Sequence, residues 1–323
     1  MRAVCCVRGC RPISTAIRAR STASTRSPDR PFRAVRCRKA IRRSRASSAP
    51  DRSDLMGIHK RISFNPISTW NWTLDQDIAF CKARGIDVIN ATFLKFRDDV
   101  DAGIAAILAA GLKSCSLAGG GTESFIESEE QTLAGLKPYI DAAHALGAPS
   151  IYVVSGPTPP RMPTDDACAA FAKCMGTANA YAAERGVRIA IENNSITTRD
   201  TGFLHTLASA ADVARAADVG ICLELQNCWY EPGLPRLFRD NVDLFTCVQV
   251  SDFLVGEPTK FNRRVPGDGS IPLEWIIGHL LDAGYAGYFD VELLGPAIEA
   301  EGYESAVDRS IDWLTERFVR WGV

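Results

Sequence analysis

Histidine is scarce in this chain, with four in 323 residues. His59, His144, His205 and His279 lie far apart, and no two have the spacing of a zinc-binding pair. That shortage counts against a histidine-rich, multi-metal phosphodiesterase of the DNA-repair kind. Walker-type phosphate loops are missing, and no GxGxxG follows a first strand, so neither common nucleotide signature is present. Apolar runs never reach the ~20 residues that span a bilayer. No apolar segment followed by a cleavage site marks a secretory leader. CxxC pairs are absent too. Of 11 cysteines, seven (Cys81, Cys115, Cys168, Cys174, Cys222, Cys228 and Cys247) are scattered through the body. They read as free thiols in a reducing compartment, which places the protein in the cytoplasm.

Acidic residues are sparse in one region only. Residues 1–55 hold 15 Lys or Arg against three Asp, a charge of +12. The whole chain carries −1, so the remainder carries −13. An acidic body argues against nucleic acid as the partner. The first 55 residues lack apolar periodicity and are rich in Arg and Ser, as in Arg36–Arg45 (RCRKAIRRSR). They read as a disordered basic extension. The strong excess of Arg over Lys suggests GC-rich upstream sequence annexed by a wrong start, with Met56 as initiator. A transit peptide and a basic binding arm are the alternatives.

From Lys60 onward strand-like and helix-like stretches alternate. Strands are expected near Ile62–Asn65, Val88–Ala91, Ser114–Leu117, Ile151–Val154, Ile189–Glu192, Ile221–Leu225, Cys247–Val250 and Tyr288–Leu293. Five helix–strand joins, such as ARGIDVI and ALGAPSI, place Gly where a left-handed cap is needed. Eight such units in residues 56–323 suit a closed (β/α)8 TIM barrel, whereas five or six would leave an open sheet.

Acidic residues recur at the C-terminal ends of the buried runs. RIAIENN carries Glu192, GICLELQN carries Glu224 and YFDVELL carries Glu292, while CVQVSD places Gln249 at the matching position. A charge at a buried strand end is costly unless paired or bound to a metal. Four oxygen donors converging from the fifth to eighth strands would suit one hard divalent ion, Mn²⁺ or Mg²⁺. Such an ion could polarise a sugar carbonyl while a carboxylate on either side moves a proton at the next carbon.

The strand order, IENN (Ile191–Asn194), VQVSD (Val248–Asp252), RVPGDG (Arg264–Gly269) and DVELL (Asp290–Leu294) resemble the xylose isomerase-like barrels over about Ile62–Phe318. These are the sugar phosphate isomerase/epimerase proteins, which include ketose 3-epimerases, hydroxypyruvate isomerases and inosose dehydratases. The resemblance implies a metal held by Glu192, Glu224, Gln249 and Glu292, with Glu192 and Glu292 also serving as catalytic acid and base. It further implies a sugar or keto-sugar substrate and homo-oligomerisation. Two departures stand out. The family's Asp and following His on the sixth strand are here Glu224 and Asn227, and its His before Asp on the seventh is here Gln249 before Asp252.

Arg264 matches the family position that faces the substrate; a surface ion pair is the plain alternative. Asp252 would orient it. Asn227, Trp70 and Trp229 are expected to contact substrate, with a packed aromatic lid as the other reading. Lys95 reads as solvated, and Gly119–Gly121 as a hinge or an anion-binding turn. The leading functional reading is a sugar isomerase or epimerase. A lyase or dehydratase using the same enolate chemistry and a non-catalytic sugar-binding barrel are the alternatives.

Overall fold

A computed structural model describes residues 57–96, 99–119, 123–259 and 261–323. The basic extension 1–55, Met56 and most of the Gly119–Gly121 turn lie outside the described residues.

Eight parallel strands close in sequence order: β1 (Ile62–Phe64), β2 (Val88–Thr92), β3 (Lys113–Ala118), β4 (Ser150–Val153), β5 (Arg188–Glu192), β6 (Gly220–Glu224), β7 (Phe245–Val250) and β8 (Phe289–Val291). β8 pairs back onto β1, with Ile62 opposite Phe289. The helices are α1 (Leu74–Arg84), α2 (Val100–Ala109), α3 (Glu129–Leu146), α4 (Thr164–Cys174), α5 (Gly176–Ala183), α6 (Leu207–Ala217), α7 (Leu234–Asn241), α8 (Leu273–Asp282), α9 (Pro296–Glu301) and α10 (Tyr303–Trp321). The barrel expected from the alternating pattern is therefore the fold observed.

Local chemistry explains the element ends. Thr73 caps α1 and forms a reciprocal capping box with Gln76. Ser128 and Thr206 cap α3 and α6 through their hydroxyls. Gly85 ends α1 at φ 74°, a left-handed conformation that a side chain would strain. One expected helix, Asp165–Arg185, is two: α4 and α5 part at Met175–Gly176. Gly is a poor helix former, and Glu129 there accepts bonds from the Thr177 backbone and hydroxyl, favouring a new start. The short α9 was not anticipated.

Period-two alternation divides the strands into an apolar outer face and a more polar interior. Outward residues such as Phe64, Leu117, Ile151, Ile221, Val248 and Phe289 are buried against the helices. Ala118, Tyr152, Ala190, Cys222 and Cys247 form a separate cluster inside the barrel. Two residues beyond Ala190, Cys222 and Cys247 come Glu192, Glu224 and Gln249. The same alternation that fills the barrel thus lifts these polar groups toward its C-terminal mouth.

The described cysteines are all free, and all but Cys168 are buried, as the scattered apolar settings suggested. Among the described residues no helix is long and apolar enough to cross a membrane.

Candidate active site

The barrel mouth opens into a cavity of about 590 Å³. Glu192, Arg263, Tyr152 and Glu292 lie in its lining, with Asn227, Trp70 and Trp229 also on its walls. Glu224 and Gln249 are not in that lining; both are fully buried. The four strand-end groups therefore divide into two that face the cavity and two that do not.

Arg263 explains the division. It is 4% exposed. Its guanidinium pairs with Glu224 and, at 3.1 Å, with Glu292 Oε1. It also donates to Ser251 Oγ at 3.1 Å and to the Glu292 carbonyl at 3.2 Å. Burial opposes its charge, but Glu224 and Glu292 outweigh that opposition and raise its pKa.

Glu292 is held on several sides. Asn65 Nδ2 donates to its Oε2 at 3.0 Å, and the Tyr152 hydroxyl at 3.4 Å. Gln249 Nε2 donates to the same oxygen. Burial pushes the Glu292 carboxyl up to about 8, against the pull of Arg263 and with Glu224 and Asp290 adding to the rise. Glu192 has no hydrogen-bond or ion-pair partner among the described residues, and it faces the cavity. Burial, then Glu292 and Glu224, hold its pKa well above the ordinary carboxylate range, with Arg263 opposing. Two carboxyl groups whose pKa values are both raised thus share one cavity.

A polar layer sits beneath. Asp290 accepts from Ser63 Oγ at 2.6 Å, Asn90 at 2.8 Å and Asn65 at 3.0 Å. Burial raises it to about 6 despite those three donors. Burial, with the neighbouring Glu292 and Asp290 carboxyls adding to it, raises the Tyr152 phenol well above its usual range, so it stays a neutral donor.

Other expected residues fall elsewhere. Arg264 is absent from the cavity lining; it pairs with Glu257 at 2.7 Å and donates to the Asn262 and Arg263 carbonyls. Asp252 is 1% exposed and accepts from the backbone N–H groups of Phe253, Gly267, Gly269 and Ile271. It orders the loop rather than the Arg264 side chain. Lys95 is not solvated: it donates to the Thr69 and Trp72 carbonyls and pairs with Asp77 at 3.1 Å.

Arg263, Asn65, Tyr152 and Asp290 were missed. Asp290 lies two residues before Glu292, hence on the same strand face, and that spacing was available. Arg263 is harder to read, because the sequence offers two adjacent arginines. The antiparallel bridge between Asp252 and Arg264 turns neighbouring residues to opposite sides, and Arg263 takes the inward one.

The donor set does not fit a divalent ion. Glu224 gives Oε1 to the Gln226 N–H and Oε2 to Arg263. Glu292 gives Oε1 to Arg263 and Oε2 to three donors. Gln249 turns its N–H side toward Glu292, leaving its Oε1 buried and unpartnered. Among the described residues no three His, Cys, Asp or Glu groups are placed to hold an ion.

Residues 77–317 match the family model described as Xylose isomerase-like TIM barrel. Similar solved structures include protein SMc04130 from Sinorhizobium meliloti 1021 (TM-score 0.70, 20% identity, covering 81% of this chain and 98% of that one). Another is the IolI protein with a bound zinc atom (TM-score 0.68, 18% identity, covering 80% and 98%). A third is 3-keto-D-glucoside 4-epimerase, YcjR, from E. coli in its apo form (TM-score 0.61, 20% identity, covering 77% and 97%). Among curated proteins none matches the chain.

Proposed function

Because the chain belongs to the xylose isomerase-like TIM barrel family, we propose that it is a sugar isomerase or epimerase that moves a proton at a carbon next to a carbonyl. One observation carries this reading: Glu192, unpartnered, and Glu292, firmly held, face the same cavity, and burial raises the pKa of both.

Glu192 as the carboxylate takes the proton from the carbon α to the substrate carbonyl. The C–H bond breaks, an O–H bond forms on Glu192, and the electron pair passes into an enediolate. Glu292, in the protonated form that its raised pKa makes accessible, returns a proton to the other face or the neighbouring carbon. Each turnover leaves Glu192 protonated and Glu292 as the carboxylate, and proton exchange of both with solvent in the cavity resets the pair for the next turnover. The developing negative oxygen lies in a cavity bordered by the Arg263 guanidinium and the neutral Tyr152 hydroxyl, fixed donors that need no reorganisation. A 3-keto-D-glucoside 4-epimerase shares the fold, which is consistent with sugar chemistry of this kind.

The cavity also bears on the substrate. Its floor is polar, but Trp70, Leu94, Tyr230 and Phe261 line its outer part and are 45–56% exposed. Clustered exposed apolar groups at a cavity mouth mark a binding surface. A keto-sugar carrying an apolar substituent matches this division, with the sugar on the carboxylates and the substituent against the aromatics.

The test is to incubate the chain with candidate keto-sugars in D₂O and follow C–H exchange by NMR. Exchange that Glu192→Gln removes supports the reading. Binding without exchange would make the protein a non-catalytic sugar-binding barrel. Loss of a substituent from an exchanging substrate would mark the lyase variant.

A further inference from the structure

We propose that the Arg263 guanidinium is the resident cation of this centre, standing where a divalent ion would otherwise bridge the strand-end carboxylates. The inference concerns the same site as the proton-transfer reading, but its test needs no substrate.

The first argument is the allocation of lone pairs. An ion needs carboxylate oxygens aimed at one point, yet Glu224 Oε2 and Glu292 Oε1 both serve Arg263. Glu192 alone of the three carboxylates is unclaimed, and besides it only Gln249 Oε1, outside the cavity lining that Glu192 shares, is unpartnered, too few oxygen ligands to hold a divalent ion. The second argument is Gln249. Imidazole or carboxylate at this position would offer an acceptor, whereas the amide here donates to Glu292 and reinforces a carboxylate already paired with arginine. Glu224 and Gln249 also lie outside the cavity lining that includes Arg263.

The third argument is that Arg263 is placed by backbone. Its N–H donates to the Leu294 carbonyl at 2.7 Å, just beyond β8. On its C-terminal side Arg264 and Asp252 exchange both backbone bonds, at 2.8 and 2.9 Å. Asp252 is in turn fixed by the N–H groups of Gly267, Gly269 and Ile271. Gly269 is required there, since a Cβ would fall on the Asp252 carboxylate and the Phe253 carbonyl. A solvent-exposed arginine that happened to fall inward would need none of this. The planar fork of arginine suits two carboxylates at once, which the point charge of lysine does not.

The consequence is a centre whose positive charge is single, covalently attached and indifferent to chelators. The full chain would be purified from metal-supplemented cells and measured by elemental mass spectrometry. Thermal melting with EDTA and with added Mn²⁺ or Zn²⁺ would follow. The expected result is far less than one ion per chain and no shift in melting. Arg263→Ala frees both carboxylates, so it should bind Mn²⁺ at least about tenfold more tightly than wild type by calorimetry. One ion per wild-type chain, removed by EDTA with loss of melting temperature, would overturn the proposal. So would a folded Arg263→Ala that gains no Mn²⁺ affinity. If that variant does not fold, the wild-type metal content decides alone. A metal-bearing wild type that still exchanges substrate C–H would sink this inference and leave the isomerase reading standing. A metal-free wild type that exchanges nothing would do the reverse.

Discussion

Replacing Arg263 with methionine removes the charge, keeps much of the volume, and leaves Glu224 and Glu292 without their shared partner. Breaking one side of a buried ion pair costs about 3–5 kcal/mol, because the remaining charge is neither solvated nor compensated. Glu224 is fully buried and Glu292 is 4% exposed, so water cannot take over at the first and barely at the second. For residues 57–323, at ~2.1 cal/mol/K per residue, the unfolding entropy is about 0.56 kcal/mol/K, and the melting temperature should fall by roughly 5–9 °C. The assay is calorimetric melting of wild type, Arg263→Met, Glu224→Gln and the double variant at neutral pH. The double variant should recover at least half the loss, since a neutral amide beside a thioether leaves no stranded charge. If Arg263→Met melts with the wild type, or if the two single effects simply add, the guanidinium is not compensating these carboxylates and the reasoning fails.

Glu192→Gln and Glu292→Gln should each lower kcat for C–H exchange by ~10²–10⁴-fold with KM little changed, measured by NMR in D₂O. Glu292 raised to about 8 acts as the protonated partner, so kcat/KM should fall as pH rises through that value; a profile flat across it counts against the assignment. Gly295 sits at φ 111° and an added Cβ would fall on the Phe261 carbonyl oxygen, so Gly295→Ala should destabilise the chain by about 1–3 kcal/mol in urea titration. Trp70→Ala and Tyr230→Ala should weaken binding of a phenyl-substituted sugar while leaving its methyl analogue unchanged, as read by calorimetry; equal losses for both ligands would remove the apolar-substituent reading.

The barrel was legible because each unit repeats the same physics: a β-branched run, a loop, an amphipathic stretch and a glycine stop. All five helix-end glycines noted in the sequence, Gly85, Gly111, Gly147, Gly186 and Gly284, have positive φ. The strand-end glutamates were legible for a related reason, since a carboxylate in a buried run must have a purpose. Arg263 was not, because no local rule says which of two adjacent arginines turns inward. That choice depends on a bridge between residues 252 and 264, a pairing that periodicity does not encode. Nor did the sequence say that Glu224 would lie buried outside the cavity lining. The division between β6 and β5 follows from Arg263, which pairs with Glu224 and leaves Glu192 unclaimed, a contact between distant segments that no local pattern encodes.

The bridge between Asp252 and Arg264 has one more consequence. It ties the two ends of an excursion in which Glu257, Pro258, Thr259 and Phe261 line the cavity wall. Substitutions within the excursion can reshape that wall while the knot at its base keeps the guanidinium in register with the barrel. Ligand preference and charge placement are thereby uncoupled along a single loop. Lineages, or a laboratory selection, can explore new cavity walls here without first dismantling the ion pairs that Arg263 makes.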